Sequence, residues 1–186
     1  MRDNAVLKGL QLLCPRRYCH DGVTEITVDE LVSAGVQAVL LDLDNTLVGW
    51  QRLDISPSVR AWLMDLDRAG LKLCLISNTR FGRRLRLLSE ELGIPYVRKA
   101  LKPGKKGFLK AMEELGVDPS NTVMVGDQMF TDVLGGNRVG VYTVMVRPMA
   151  RHEFFGTKIS RVAERVLLKW FKKSGSLDMR AGAPRV

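Results

Sequence analysis

Val36–Leu47, VQAVLLDLDNTL, is an unbroken run of β-branched and long aliphatic residues that ends in two aspartates one residue apart. A continuous apolar run of this length reads as a strand buried on both faces of a parallel sheet. Asp42 and Asp44 fall at its carboxyl end, and strand alternation with period two puts their side chains on the same side. Two like charges so placed are costly unless a cation or a proton intervenes. The arrangement predicts a metal site that works on an anionic substrate.

Working outward, strand and helix signals alternate. Ser56-Pro57 reads as a helix cap followed by proline in the first turn, with Val59, Trp62, Leu63 and Leu66 at helical spacing and Gly70 as the stop. Leu71–Ser77 is a second apolar strand, and roughly Phe81–Leu92 a helix. Pro95–Val97 is a short third strand, Pro103–Leu115 a helix, Thr122–Val125 a fourth strand, Thr131–Val139 a short helix and Val141–Val146 a fifth strand. Such alternation implies an α/β fold, a parallel sheet covered on both faces. Sites in these sheets lie at the carboxyl ends of the strands, a rule that selects Asp42, Asp44, Ser77 and Asp127.

The bulk properties narrow the class of partner. A chain of 186 residues fits one domain with a sizeable core. No apolar run approaches the ~20 residues that span a bilayer, and the N-terminal stretch has the wrong flanks for a signal peptide. Three cysteines give no disulfide framework, so a cytoplasmic setting is expected. Cys14, Cys19 and His20 lack the second cluster a zinc site would need. The net charge of +9 favours acidic partners: nucleic acid, anionic lipid or a phosphorylated substrate. Nucleic acid is disfavoured, because no aromatic stacking motif accompanies the charge.

Four blocks now fall into line: DLDNT at 42–46, Ser77-Asn78, Lys102-Pro103 and GDQMFTD at 126–132. Together, in this order and after successive strands, they resemble the haloacid dehalogenase-like hydrolases over roughly residues 36–146. The resemblance implies a Rossmann-like five-stranded parallel sheet of order 5-4-1-2-3 and a Mg²⁺-dependent phosphatase that works through a phosphoaspartate. It makes Asp42 the nucleophile and Asp44 the acid and base. Mg²⁺ is then bound by Asp42, Asp127 and the backbone carbonyl of Asp44, with Asp132 behind them. The phosphate is held by Ser77, the Asn78 backbone and Lys102, the last preferred over its rivals Lys105 and Lys106. Asn45 and Thr46 are expected to order the loop after the nucleophile. Hard Mg²⁺ suits oxygen ligands, and a lysine point charge suits phosphoryl oxygens.

The gaps between the blocks bear on the substrate. Only 32 residues separate Asp44 from Ser77 and 24 separate Ser77 from Lys102, which leaves no room for a large cap domain. An uncapped site needs water excluded by its substrate or by a surface. Blocks at the N-terminal side, and DLDNTLV-x-W, SNT, KP and GDQ-x-x-TDVLGGNR-x-G, resemble YqeG-type subclass IIIA phosphatases over most of residues 7–150. That resemblance implies kinship with phosphatidylglycerophosphatases. The expected layout is a lead-in over 1–35 that packs on the core, a phosphatase core over 36–150, a basic amphipathic helix over 151–173 and a disordered tail over 174–186. Ile159, Val162, Ala163, Val166, Leu167, Trp170 and Phe171 form that helix's apolar stripe, which must pack on the core or rest on anionic lipid. Arg80, Arg83, Arg84 and Arg86 form either a solvated helix face or a headgroup contact. The expected activity is dephosphorylation of phosphatidylglycerophosphate by an enzyme peripheral on the inner face of the membrane. The alternatives are a phosphatase for a soluble ester or a nucleic-acid end, and a basic RNA- or ribosome-binding protein that keeps a vestigial Mg²⁺ site.

Overall fold

The sheet is built around the opening stretch. A computed structural model describes residues 9–79, 82–149 and 155–175, and of 155–161 the backbone alone. Six parallel strands form it: β1 (Arg17–Cys19), β2 (Ala38–Leu41), β3 (Lys72–Ser77), β4 (Tyr96–Arg98), β5 (Thr122–Gly126) and β6 (Tyr142–Val146). Their order is β1-β6-β5-β2-β3-β4. The expected five-stranded sheet is therefore corrected to six, and the full order differs from 5-4-1-2-3 because a strand precedes the first one expected. β1 escapes a hydrophobic scan because it is three residues long and carries Arg17. The sheet tolerates that buried arginine because Glu30 pairs with it and the Glu25 carbonyl accepts its Nη2 at 2.9 Å.

β2 is buried throughout, as a central strand between two parallel neighbours should be. Alternation sends Leu41, Leu75 and Val125 into one core with Trp62 and Leu66, and Leu40, Cys74, Ile76 and Met124 into another with Phe108 and Met112. The first face is covered by α1 (Val28–Ser33), α2 (Pro57–Arg68) and α3 (Gly82–Leu92). α2 starts where Ser56 Oγ accepts the Val59 N–H, with Pro57 in its first turn. Trp62 Nε1 donates to the Ile26 carbonyl at 2.7 Å, which ties the lead-in segment to the core. The expected start at Phe81 lies outside the described residues.

The second face is covered by α4 (Lys105–Leu115) and α5 (Leu134–Val139). Glycine decides how close they come. A Cβ on Gly107 would meet Ala100 Cβ at 2.6 Å, and one on Gly135 would meet the Phe108 ring at 2.4 Å. The expected helix over Thr131–Val139 resolves into a π-helical turn, Met129–Val133, followed by α5.

The last element, α6 (Phe155–Lys173), packs by a face rotated from the expected stripe, sharing Leu167 and Phe171 with it. Glu164, Leu168 and Phe171 are buried, against Met129, Val133 and Met145, whereas Val162, Val166 and Trp170 are exposed. On the packed face Glu164 Oε1 accepts the Met129 N–H at 3.0 Å. Among the described residues no helix is long and apolar enough to cross a membrane. The expected tail lies outside the described residues from residue 176 onward.

Candidate active site

Parallel strands bring their carboxyl ends to one edge, and the predicted residues meet there. β2 delivers Asp42, whose N–H donates to the Val125 carbonyl at 2.9 Å. The chain then turns tightly: Leu47 N–H and Val48 N–H both donate to the Leu43 carbonyl, and Asn45 takes a positive φ of 62°. Asn45 Oδ1 accepts the Trp50 N–H at 3.2 Å, and its carbonyl accepts the Met149 N–H at 3.0 Å. Thr46 Oγ1 stands 3.4 Å from Asp42 Oδ2 and 3.5 Å from Asp127 Oδ1. Asn45 and Thr46 thus order the loop around the two carboxylates.

Lys102 reaches into the same place from the loop between β4 and α4. Its ammonium donates to Asp42 Oδ1 at 2.6 Å and to the Ile76 carbonyl at 2.9 Å, and lies 2.7 Å from Asp132 Oδ1. Asn78 holds the lysine's backbone from both sides, accepting the Lys102 N–H at 2.7 Å and donating to the Lys102 carbonyl at 2.9 Å. The side chain of Asn78 is therefore committed to positioning Lys102. Ser77 is buried at the end of β3, where its Oγ accepts the Thr79 N–H at 3.2 Å. Lys105 and Lys106 are exposed in the first turn of α4.

β5 ends in Gly126 and Asp127, and the π-helical turn brings Asp132 back over them. Asp132 Oδ2 accepts the Gln128 N–H at 3.0 Å. A Cβ on Gly126 would fall 2.4 Å from that same oxygen, so only glycine leaves room for the aspartate here. Asp132 Oδ1 is ion-paired with Lys102 and is buried without a well-formed hydrogen bond.

Charge in this pocket does not balance. Asp42, Asp127 and Asp132 are buried, with oxygens all within 4.8 Å of one another, and Lys102 is the ammonium among them. The Asp42 carboxyl is pushed up to about 7: burial raises it most, Lys102 pulls it back, and Asp132 and Asp44 add to the rise. Burial works against the charged Lys102 as well, but Asp132 and Asp42 outweigh it and hold the ammonium above the ordinary lysine range. Three hard oxygen donors, a shortfall of positive charge and an oxygen lacking a hydrogen bond fit a divalent cation such as Mg²⁺.

Asp44 sits apart from this cluster, half-buried, and its partner is Arg84 of α3. Arg84 Nη1 donates to Asp44 Oδ1 at 2.6 Å, Nε to the Arg52 carbonyl at 2.6 Å and Nη2 to the Gly49 carbonyl at 3.4 Å. The sequence offered four arginines near Ser77 and no means to single this one out. Glu164 was also missed, although a lone acid on an otherwise basic helix was a usable signal.

Known proteins are similar to this chain in sequence and in fold. A family model described as hydrolase, haloacid dehalogenase-like hydrolase, matches residues 13–140. The chain belongs to the haloacid dehalogenase-like hydrolases. It is 39% identical over 156 residues to the Bacillus subtilis (strain 168) protein named "Probable phosphatase YqeG", a match that covers 84% of this chain and 90% of that protein. It is 28% identical over 180 residues to phosphatidylglycerophosphate phosphatase 1, chloroplastic/mitochondrial, of Arabidopsis thaliana. That match covers 91% of this chain and 51% of the plant protein, so the chain spans about half the relative's length. A Listeria monocytogenes serotype 4b protein of solved structure shares the fold, with a TM-score of 0.51 at 18% identity over 72% of this chain and 99% of that one. This haloacid dehalogenase-like hydrolase is a phosphatase.

Proposed function

We propose that this phosphatase removes the terminal phosphate of phosphatidylglycerophosphate, giving phosphatidylglycerol, and works peripherally on the inner face of a membrane. The observation that carries the reading is the charge-deficient cluster of Asp42, Asp127, Asp132 and Lys102 at the open carboxyl edge of the sheet. The similarity to phosphatidylglycerophosphatases supports the choice of substrate.

Asp42, Asp127 and the Asp44 carbonyl would hold Mg²⁺ with Asp132 beside them, and the ion when bound would offset charge on the phosphate and on Asp42. Asp42 attacks phosphorus, forming an acyl phosphate as the bond to the glycerol oxygen breaks. Asp44 gives that leaving oxygen its proton, then takes one from the water that hydrolyses the acyl phosphate. Ser77, the Asn78 backbone and Lys102 bind phosphoryl oxygens and stabilise their charge. When the phosphate arrives, Lys102 exchanges part of its bonding to Asp42 for the new anion. Arg84 keeps Asp44 aimed at the leaving group.

The test offers the full-length protein phosphatidylglycerophosphate in vesicles beside soluble phosphoesters and 5′- or 3′-phosphorylated oligonucleotides, with Mg²⁺ or EDTA. Release of phosphate from the vesicles, dependent on Mg²⁺, is expected. Activity confined to soluble esters or to nucleic-acid ends would overturn the lipid assignment.

A further inference from the structure

Four large apolar side chains stand in the open on loops at the carboxyl edge of the sheet: Trp50 is 38% exposed, Leu53 49%, Leu101 72% and Met149 48%. Single exposed apolar residues are ordinary; several around one opening are not. Trp50 and Met149 are both tied by their backbone N–H groups to Asn45, three residues past Asp42. Leu53 follows Arg52, whose carbonyl accepts from Arg84, the partner of Asp44. Leu101 immediately precedes Lys102. The four therefore ring the mouth of the site. Exposed Lys99, Lys105 and Arg147 stand at the same edge, and the acids beside Trp50 and Leu53 are already bonded, Asp54 to Arg52 at 2.7 Å and Asp44 to Arg84 at 2.6 Å.

We infer that this rim is the face that lies on an anionic phospholipid surface, its apolar side chains entering the headgroup layer and its cations meeting lipid phosphates. The inference rests on the lipid-phosphate reading above. The competing surface is the outward face of α6, with Val162, Val166 and Trp170 exposed beside Lys169. That helix runs along the strands: Glu164 bonds Met129 at the carboxyl edge, while Trp170 and Phe171 share a cleft with Gly140 and Val141 at the amino end of β6. A bilayer against α6 would leave the mouth of the site opening sideways. Asp42 and Lys102 are buried beneath the rim, so a phosphate esterified to a bilayer lipid reaches them only if the rim faces the bilayer. Docked that way, the membrane itself excludes water from a site that no lid covers among the described residues.

Flotation with vesicles of phosphatidylcholine, with and without phosphatidylglycerol, tests this. The protein should float with the anionic vesicles, Trp50→Ser/Leu53→Ser should lose about tenfold in binding, and Val166→Ser/Trp170→Ser should bind as before. Hydrolysis of p-nitrophenyl phosphate reports that each variant is folded. Loss of binding in the α6 variant alone, or no binding by the unmodified protein, would overturn the proposal. A second measurement needs no rim variant. In Trp170→Phe, Trp50 is the exposed tryptophan, because Trp62 is buried, and brominated anionic lipids should quench it; unquenched emission overturns the proposal. Binding without phosphate release from phosphatidylglycerophosphate would sink the substrate and spare the docking face. Release by a rim variant that no longer binds would do the reverse.

Discussion

The buried charged groups around Arg17 and around Lys102 obey different rules. At the edge of the sheet Arg17 meets one carboxylate, Glu30, and a backbone carbonyl, so charge and hydrogen bonds are matched. At the carboxyl edge Lys102 faces Asp42 and Asp132 with Asp127 beside them, and one oxygen is left without a hydrogen bond. A matched pair holds a strand in place. An unmatched cluster awaits a ligand that completes it, and neutralising one member should ease the fold while destroying the chemistry.

The largest expected effect follows from that contrast. Asp42→Asn removes the proposed nucleophile and should cut phosphate release by about 10⁴-fold or more, while the metal-free protein melts at the same temperature or higher. Activity within tenfold of the unmodified enzyme would sink the phosphoaspartate reading. A clear drop in melting temperature would break the idea that the cluster carries surplus negative charge. The edge pair should behave oppositely. Arg17→Met strands Glu30 and should cost about 3–5 kcal/mol in urea unfolding, with turnover per folded molecule unchanged. The double variant Arg17→Met/Glu30→Leu should recover most of that loss.

Metal binding sharpens the comparison further. With its carboxyl raised to about 7, folded Asp42 holds a proton more tightly than the unfolded chain does. Its contribution to the stability of the metal-free protein is complete below about pH 4 and is lost as pH climbs through 7. A divalent cation competes with that proton, so it should stabilise the protein more at pH 8 than at pH 5. At a hundred times its dissociation constant the gain is about 2.7 kcal/mol. The check is the difference in melting temperature between Mg²⁺ and EDTA at the two pH values; equal differences would remove Asp42 from the metal site.

The contrast also separates what the sequence discloses from what it hides. β2 was legible because a strand buried on both faces must be apolar throughout, and Asp42 was legible because it ends that strand. Asp127 and Lys102 stood out by their positions beside Gly126 and Pro103. β1 was hidden, since three residues with a buried arginine carry no periodic signal, and the burial is explained by Glu30, eleven residues beyond the strand, together with the Glu25 carbonyl. The rotation of α6 was hidden for a similar reason. Hydropathy favoured Val162, Val166 and Trp170 along with Leu167 and Phe171, whereas the packed face keeps the last two and replaces the others with Leu168 and with Glu164, which accepts the Met129 N–H. Pairings across the fold between single polar residues leave no local pattern to read.

Arg84 is the smallest of the expected effects and the most specific. Its guanidinium spans Asp44, the Arg52 carbonyl and the Gly49 carbonyl, so it fixes both a carboxylate and the loop that carries it. In Arg84→Ala Asp44 keeps the Gln51 N–H at 3.4 Å among its donors, too long to hold a rotamer firmly. Proton transfer to the leaving oxygen depends on aim, so kcat should fall about tenfold, roughly 1.4 kcal/mol of barrier. KM for a soluble ester should barely move, because Ser77 and Lys102, the proposed phosphate contacts, are untouched. Esters with good leaving groups, which need little protonation, should lose less than esters of alcohols. Arg84→Lys restores charge without the three-way fork and should recover only part of the rate. If KM rises while kcat holds, Arg84 is a substrate contact, and the positioning role assigned to it falls.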